Sequence, residues 1–166
     1  MPLDVRRAAV GDDAALVAID EATWSSLVSP ASVPPPGKAF FSGAPPDDVL
    51  VAEADGLVVG YLHLSSPTSL TANRHVLEIR GLAVTPSRQR SGVGRALLDA
   101  AVAEARRRGC RRLRLRVLAT NRPACALYDA AGFVVEGVLR EEFRIDGAYV
   151  DDVLMARRVT GDPFPE

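Results

Sequence analysis

The chain has 166 residues, is 48% hydrophobic and 25% charged, and carries 20 basic against 21 acidic residues for a net charge of −1. That length favours one domain, and area scaling buries about 70% of the unfolded surface, enough for a core without metal or disulfide staples. The composition excludes wholesale disorder, no apolar run nears the ~18 residues of a membrane span, and near-neutral charge makes no case for a nucleic-acid or membrane partner.

The first residues, MPLDVRRAAV, put an acid and two arginines where an export signal needs an apolar stretch, so a cytoplasmic protein is expected. Cys110, Cys125, His63 and His75 are the only cysteines and histidines, and no CxxC or HExxH spacing occurs. No metal site is expected, and the two thiols read as reduced and packed.

Residues 3–7 read as a short strand. Asp12 is placed to cap a helix over 13–24 carrying Leu16 and Ile19. Val28 to Asp48 holds six of the 12 prolines and reads as a loop or broken helix. Val49–Ala54 and Leu57–Leu64 are strand-like and flank Asp55-Gly56, a tight hairpin signal. Val76–Val84 is another strand. Residues 92–108 have helical periodicity, with Val93, Leu97 and Ala101 on one face and Leu98, Val102 and Ala105 beside it, and Gly109 stops them.

Residues 111–118 alternate arginine with Leu113, Leu115 and Val117, a period of two. Asn121 is placed to cap a further helix with Pro123 in its first turn, ended by Gly132. Residues 133–145 and 148–158 form a hairpin around Asp146-Gly147. The expected fold is α/β (α+β): one domain over 1–166, with a core at 3–159, a short tail at 160–166, and a mixed sheet with helices packed on it.

The chemistry concentrates in Leu82 to Leu98. A strand gives way to a proline-containing turn, and Gln89, Arg90, Ser91, Gly92, Val93 and Gly94 open a long helix. Small residues let backbone approach a ligand, and the helix start offers unpaired N–H donors and a positive dipole end. Together these suit a pyrophosphate, with Arg88, Arg90 and Arg95 adding charge. The segment lacks GxxxxGK[ST], which disfavours nucleotide hydrolysis, and lacks GxGxxG, which disfavours a dinucleotide fold. It fits [Gln/Arg]-x-x-Gly-x-[Gly/Ala].

Upstream stands Glu78-Ile-Arg-Gly-Leu-Ala-Val84-Thr-Pro86, and downstream Asn121-x-x-Ala124-x-x-Leu127-Tyr128-x-x-x-Gly132-Phe133. The combination resembles the GNAT superfamily of acyl-CoA-dependent N-acetyltransferases in element order over about residues 3–159, most sharply over 78–133. The resemblance implies a mostly antiparallel sheet with a V-shaped splay between the strands near 76–84 and 111–118. It implies that Gln89, Arg90, Ser91, Gly92, Val93, Gly94 and Arg95 wrap the pyrophosphate of acetyl-CoA, used as co-substrate. Leu82, Ala83 and Val84 would pair with the pantetheine arm and polarise the thioester carbonyl. Asn121 would contact the arm, Tyr128 would sit near the sulfur as proton donor, and Glu78 would serve as base, often through water.

The elementary chemistry agrees. An amine of pKa near 10.4 is about 0.04% neutral at pH 7, a cost of ~4–5 kcal/mol unless a carboxylate assists. Each residue also has a plainer role. Tyr128 lies on an apolar stripe, Glu78 could be solvated or pair with Arg80, and Asn121 could simply cap. The arginine run at 106–116 is expected to be a solvated face beside acidic side chains, since no aromatic interleaves it.

Three functions compete: an N-acetyltransferase, a non-catalytic acyl-CoA-binding sensor, and a nucleic-acid binder. The first is favoured. Its acceptor is expected between residues 20–47 and 136–152, where the final hairpin's acids would form a rim for a cationic amine. A small molecule such as an amino acid or an amino-acid-like toxin ranks before protein N-termini. The resemblance also implies a homodimer through the C-terminal strands, with 148–158 as the apolar edge.

Overall fold

Alternating apolar residues and well-placed turn glycines set most of the elements, and the computed structural model, which describes residues 2–161, realises them closely. In chain order they are β1 (Leu3–Arg7), α1 (Asp13–Thr23), β2 (Val49–Ala54), β3 (Leu57–Ser65), β4 (Val76–Val84), α2 (Val93–Arg107), β5 (Arg112–Leu118), α3 (Arg122–Ala130), β6 (Val134–Ile145) and β7 (Ala148–Arg158). The strands form one sheet in the order β1-β2-β3-β4-β5-β7-β6. The β4–β5 pair is parallel, and β1–β2, β2–β3, β5–β7 and β6–β7 are antiparallel. The parallel register runs from Val76↔Arg112 to Ile79↔Leu115, while β4 continues to Val84 and β5 to Leu118. Residues 162–166 of the expected tail lie outside the described residues.

The described residues group into two compact units. The first takes the chain up to Trp24, Val33–Ser65 and Arg80–Ala101, and the second takes Ser25–Ser32, Ser66–Ile79 and the chain from Val102 onward.

In the first unit, Asp55 and Gly56 turn the β2–β3 hairpin with φ of 54° and 76°, the pair of positive values that two-residue hairpin turns require. Leu16 and Ile19 of α1 pack with Val49, Val51 and Tyr61, and the proline-rich loop returns Phe40 and Phe41 to the same core. Phe40 meets the Tyr61 ring edge-on at 4.8 Å. Asp12 does not cap α1 with its side chain. Its carboxylate instead accepts from the Ala9 N–H at 2.7 Å and from Arg6 at 2.8 and 3.0 Å, because a 3-10 turn over Val10–Asp12 precedes the helix.

In the second unit, β5 buries Leu113, Leu115 and Val117 on one face. Asn121 does cap α3, accepting from the Ala124 N–H at 3.3 Å, and Gly132 leaves the helix at φ 85°. Cys110 is buried and Cys125 half-buried, both as free thiols. The expected apolar edge at 148–158 is not an edge, since β7 is hydrogen-bonded between β5 and β6. The outer strand on that side of the sheet is β6, bulged between Val135 and Gly137 and between Leu139 and Phe143. Among the described residues no helix is long and apolar enough to cross a membrane.

Candidate active site

The turn expected to bind an anion lies in the first unit. Pro86–Arg88 form a single 3-10 turn after β4. Gln89 Nε2 donates to the Val84 carbonyl at 3.1 Å, and the Ser91 hydroxyl donates to the Arg88 carbonyl at 2.6 Å. Arg90 at φ 61° and Gly92 at φ 90° then swing the backbone into α2. The first helical bond runs from the Ala96 N–H to the Gly92 carbonyl at 3.0 Å. The Val93 and Gly94 N–H groups therefore stand in the first turn, where helix geometry supplies no acceptor. A Cβ added at Gly92 would meet nothing within 4 Å, so the loop presents open backbone there.

Behind the loop, β3 approaches β4 and α2 closely at Gly60. A Cβ there would stand 3.0 Å from the Ala83 carbonyl oxygen, 3.2 Å from Val93 and 3.3 Å from Leu97. Glycine at 60 fixes how near α2 and Ala83 of β4 come to β3.

The second unit holds Glu78, Asn121 and Tyr128. Glu78 is 6% exposed, and Arg114 Nε donates to its carboxylate at 2.7 Å. Tyr128 is 7% exposed, and its ring meets Phe133 edge-on at 5.8 Å. Burial pushes its phenol up to about 12, with Cys125 adding to the shift, so the hydroxyl keeps its proton at neutral pH.

Five of the seven arginines at 106–116 pair with acids within this unit. Arg107 and Arg108 pair with Glu104, Arg112 with Glu136, and Arg116 with Asp152 and Glu142. This also removes much of the expected acidic rim of the final hairpin, whose Asp151 is further bound by Arg140.

A cavity of about 240 Å³ in the first unit was not legible in the sequence. Asp20, Glu21, Lys38, Tyr61, His63 and Arg80 contribute to its lining. The buried Tyr61 hydroxyl donates to the Asp20 carboxylate. Burial raises the Asp20 pKa against the opposing pull of that bond, and burial with the Asp20 charge holds the Tyr61 phenol far above its usual range. His63 is drawn below the usual histidine value, by burial first and by Arg80, against Asp48.

Residues 15–133 match the model of the Acetyltransferase (GNAT) family. The chain belongs to that family.

This GNAT chain is 39% identical over 75 residues to the [Ribosomal protein bS18]-alanine N-acetyltransferase of Escherichia coli K12. That match covers 45% of the chain and 51% of the relative, so the chain spans about half of that protein's length. It is 33% identical over 138 residues to the phosphinothricin N-acetyltransferase of Alcaligenes faecalis, covering 73% of the chain and 70% of that protein. The solved structure of yncA from Salmonella typhimurium, determined with its cofactor acetyl-CoA, shares the GNAT fold. Its TM-score is 0.81 at 23% identity, over 100% of this chain and 99% of that one.

Within the GNAT chain, sequence reasoning missed Arg114 as the partner of Glu78. It also missed the cavity residues, which are far apart in sequence and carry no spacing signal. Tyr61 gives one hint, as a polar tip in the apolar run of β3, where a buried hydroxyl needs a partner.

Proposed function

We propose that the chain transfers an acetyl group from acetyl-CoA to the primary amine of a small molecule, an amino acid or an amino-acid-like compound, by direct attack in a ternary complex. The observation that carries this reading is the turn from Gln89 to Arg95 at the start of α2, in a chain of the GNAT family. Open backbone at Gly92 and helix-start N–H donors fit an anionic pyrophosphate; of the three arginines expected there, Arg88 pairs with Asp55 and Arg95 with Asp99. The names of the phosphinothricin relative and of the structure solved with acetyl-CoA support the same donor and acceptor class.

Bound acetyl-CoA supplies an acetyl group on a thiol leaving group. Backbone N–H groups of Leu82–Val84 are assigned to the thioester carbonyl, where fixed donors stabilise developing negative charge. Glu78, its carboxylate oriented by Arg114, is assigned the proton of the amine, directly or through water. Asn121 is assigned to the pantetheine arm. Tyr128, kept protonated by burial, is assigned to donate to the departing sulfur. An ordinary thiol has a pKa near 8.5, so full transfer from a phenol near 12 is uphill, and the donated hydrogen bond is its main contribution. Overall the ammonium form of the acceptor releases one proton and the thiol leaves neutral.

A cytoplasmic homodimer is the proposed working form. Exposed Val135, Val138 and Leu139 on the outer strand β6 support a self-association surface.

The decisive test pairs calorimetric titration with coenzyme A and release of free thiol from acetyl-CoA. The acceptors are amino acids, polyamines, aminoglycosides and N-terminal peptides. Binding and turnover with amino acids are expected. Binding without turnover of any acceptor would leave the sensor reading. Turnover of peptides alone would favour the protein N-terminal reading, which the bS18-alanine relative supports.

A further inference from the structure

The cavity of the first unit has an unusual charge pattern. Lys38 and Arg80 line it together with Asp20 and Glu21. Two cations and two anions in so small a space suit a ligand that carries both signs. Its volume of about 240 Å³ lies below the ~300–1,000 Å³ of drug-sized pockets, so the ligand is small.

We propose that this cavity seats the acceptor as a zwitterion, with its carboxylate on Arg80 and Lys38 and its ammonium on Asp20. The proposal rests on the acetyl-transfer reading above and narrows its acceptor to free α-amino acids and their close analogues.

Each part of the lining has a task under this assignment. The Tyr61 hydroxyl, bound to Asp20, fixes the carboxylate's direction at the end of α1. Tyr61 is itself buried and packed against Phe40, so Asp20 is held by a side chain with little freedom. Lys38 is exposed, on the proline-rich loop, so a ligand carboxylate would draw that loop toward the cavity. A polycationic polyamine or aminoglycoside would place positive charge against Lys38 and Arg80. A peptide N-terminus has a neutral amide where an amino acid has its carboxylate, and so brings no anion to Lys38 and Arg80. The lining therefore discriminates by chemistry as well as size.

The test is calorimetric binding to the full chain with coenzyme A present. The ligands are L-leucine, L-methionine and L-glutamate, each beside its α-carboxamide and its decarboxylated amine. At least one amino acid is expected to saturate, with its carboxamide and amine weaker by about tenfold or more, the usual size of a lost charge-assisted hydrogen bond. Lys38→Gln and Arg80→Gln should each close much of that gap, and Asp20→Asn should weaken the amino acid and its amide alike. Because Lys38 is exposed, Lys38→Gln tests the carboxylate site without threatening the core. Equal binding of amino acid and carboxamide would overturn the proposal. So would coenzyme binding with no amino acid bound, even if thiol release proceeds with another amine, and that result would leave acetyl transfer standing. Failure of coenzyme A to bind at all would instead overturn the acetyl-transfer reading itself.

Discussion

Glu78 and Arg114 are register partners on the parallel strands β4 and β5, and their side chains form a 2.7 Å ion pair. The carboxylate is buried, while the guanidinium is more than a third exposed. Removing Arg114 therefore takes a charge-assisted donor from a buried carboxylate. For Arg114→Gln, the 3–5 kcal/mol typical of a broken buried pair shrinks to about 1–2 kcal/mol because solvent screens the arginine. A melting temperature lower by roughly 3–6 °C is expected by calorimetry.

Glu78→Gln separates the proposed base from a purely structural acid. Turnover should fall most at neutral pH and recover as the pH rises toward the pKa of the amine, because the free amine then needs no base. A pH–rate profile parallel to wild type would reassign the proton to another group or to solvent.

For Tyr128→Phe the ring stays packed on Phe133 and only the donor is lost. Turnover should drop about 10²- to 10³-fold, the cost of losing one donor to a developing anion, with acetyl-CoA affinity little changed. With the phenol near 12, wild type should show no kinetic limb from this residue between pH 6 and about 10. Near-normal turnover of the variant would reduce Tyr128 to a packing role.

Gly92 and Gly60 test two demands of the first unit. Gly92→Ala adds a side chain at φ 90° in open space, so the cost is backbone strain of roughly 1–2 kcal/mol. Gly92→Glu should in addition weaken coenzyme A binding at least about tenfold by repelling the pyrophosphate. Gly60→Ala crowds the Ala83 carbonyl and should destabilise by about 1–3 kcal/mol through displaced packing. Titration calorimetry and chemical denaturation read the two effects separately.

His63 gives the fold an acid sensitivity. Its folded pKa is depressed by burial and Arg80, against Asp48, and Asp20, Glu21, Lys38 and Tyr61 line the same cavity. The unfolded chain binds the proton more readily, so stability is full above the ordinary histidine pKa near 6.5 and declines as the pH falls below it. Asp20, with a raised pKa, works in the opposite direction closer to pH 4. Melting temperatures of wild type and His63→Gln between pH 7 and pH 5 should converge on acidification. Parallel curves would remove His63 from the account.

The sequence made the local features legible and left the long-range ones hidden. The period-two pattern located β5, the Asp-Gly pairs located both hairpins, and Asn121 announced α3, because each signal is local chemistry of a few residues. Asp12 misled because its carboxylate had a stronger option in Arg6 and Ala9 than in the helix it precedes. The 148–158 strand was misjudged as an edge because strand order is set by pairing across the sheet, which alternation does not encode. The turn from β4 into α2 was readable because its proline, its glycines and the helix start are contiguous. The cavity was not, because Asp20, Lys38, Tyr61 and Arg80 meet only once α1, the proline-rich loop, β3 and β4 have packed.

The arginine face of β5 has a consequence for folding accuracy. Arg112 binds Glu136 on β6, Arg114 binds Glu78 on β4, and Arg116 binds Asp152 on β7, so one strand is keyed to three others through charge. A slip of one residue would turn Leu113, Leu115 and Val117 toward those acids and drive guanidinium groups into the apolar interior. Every misaligned pairing of β5 is thereby penalised twice, once on each face, and the alternation that marks the strand in the sequence also sets its alignment with its neighbours.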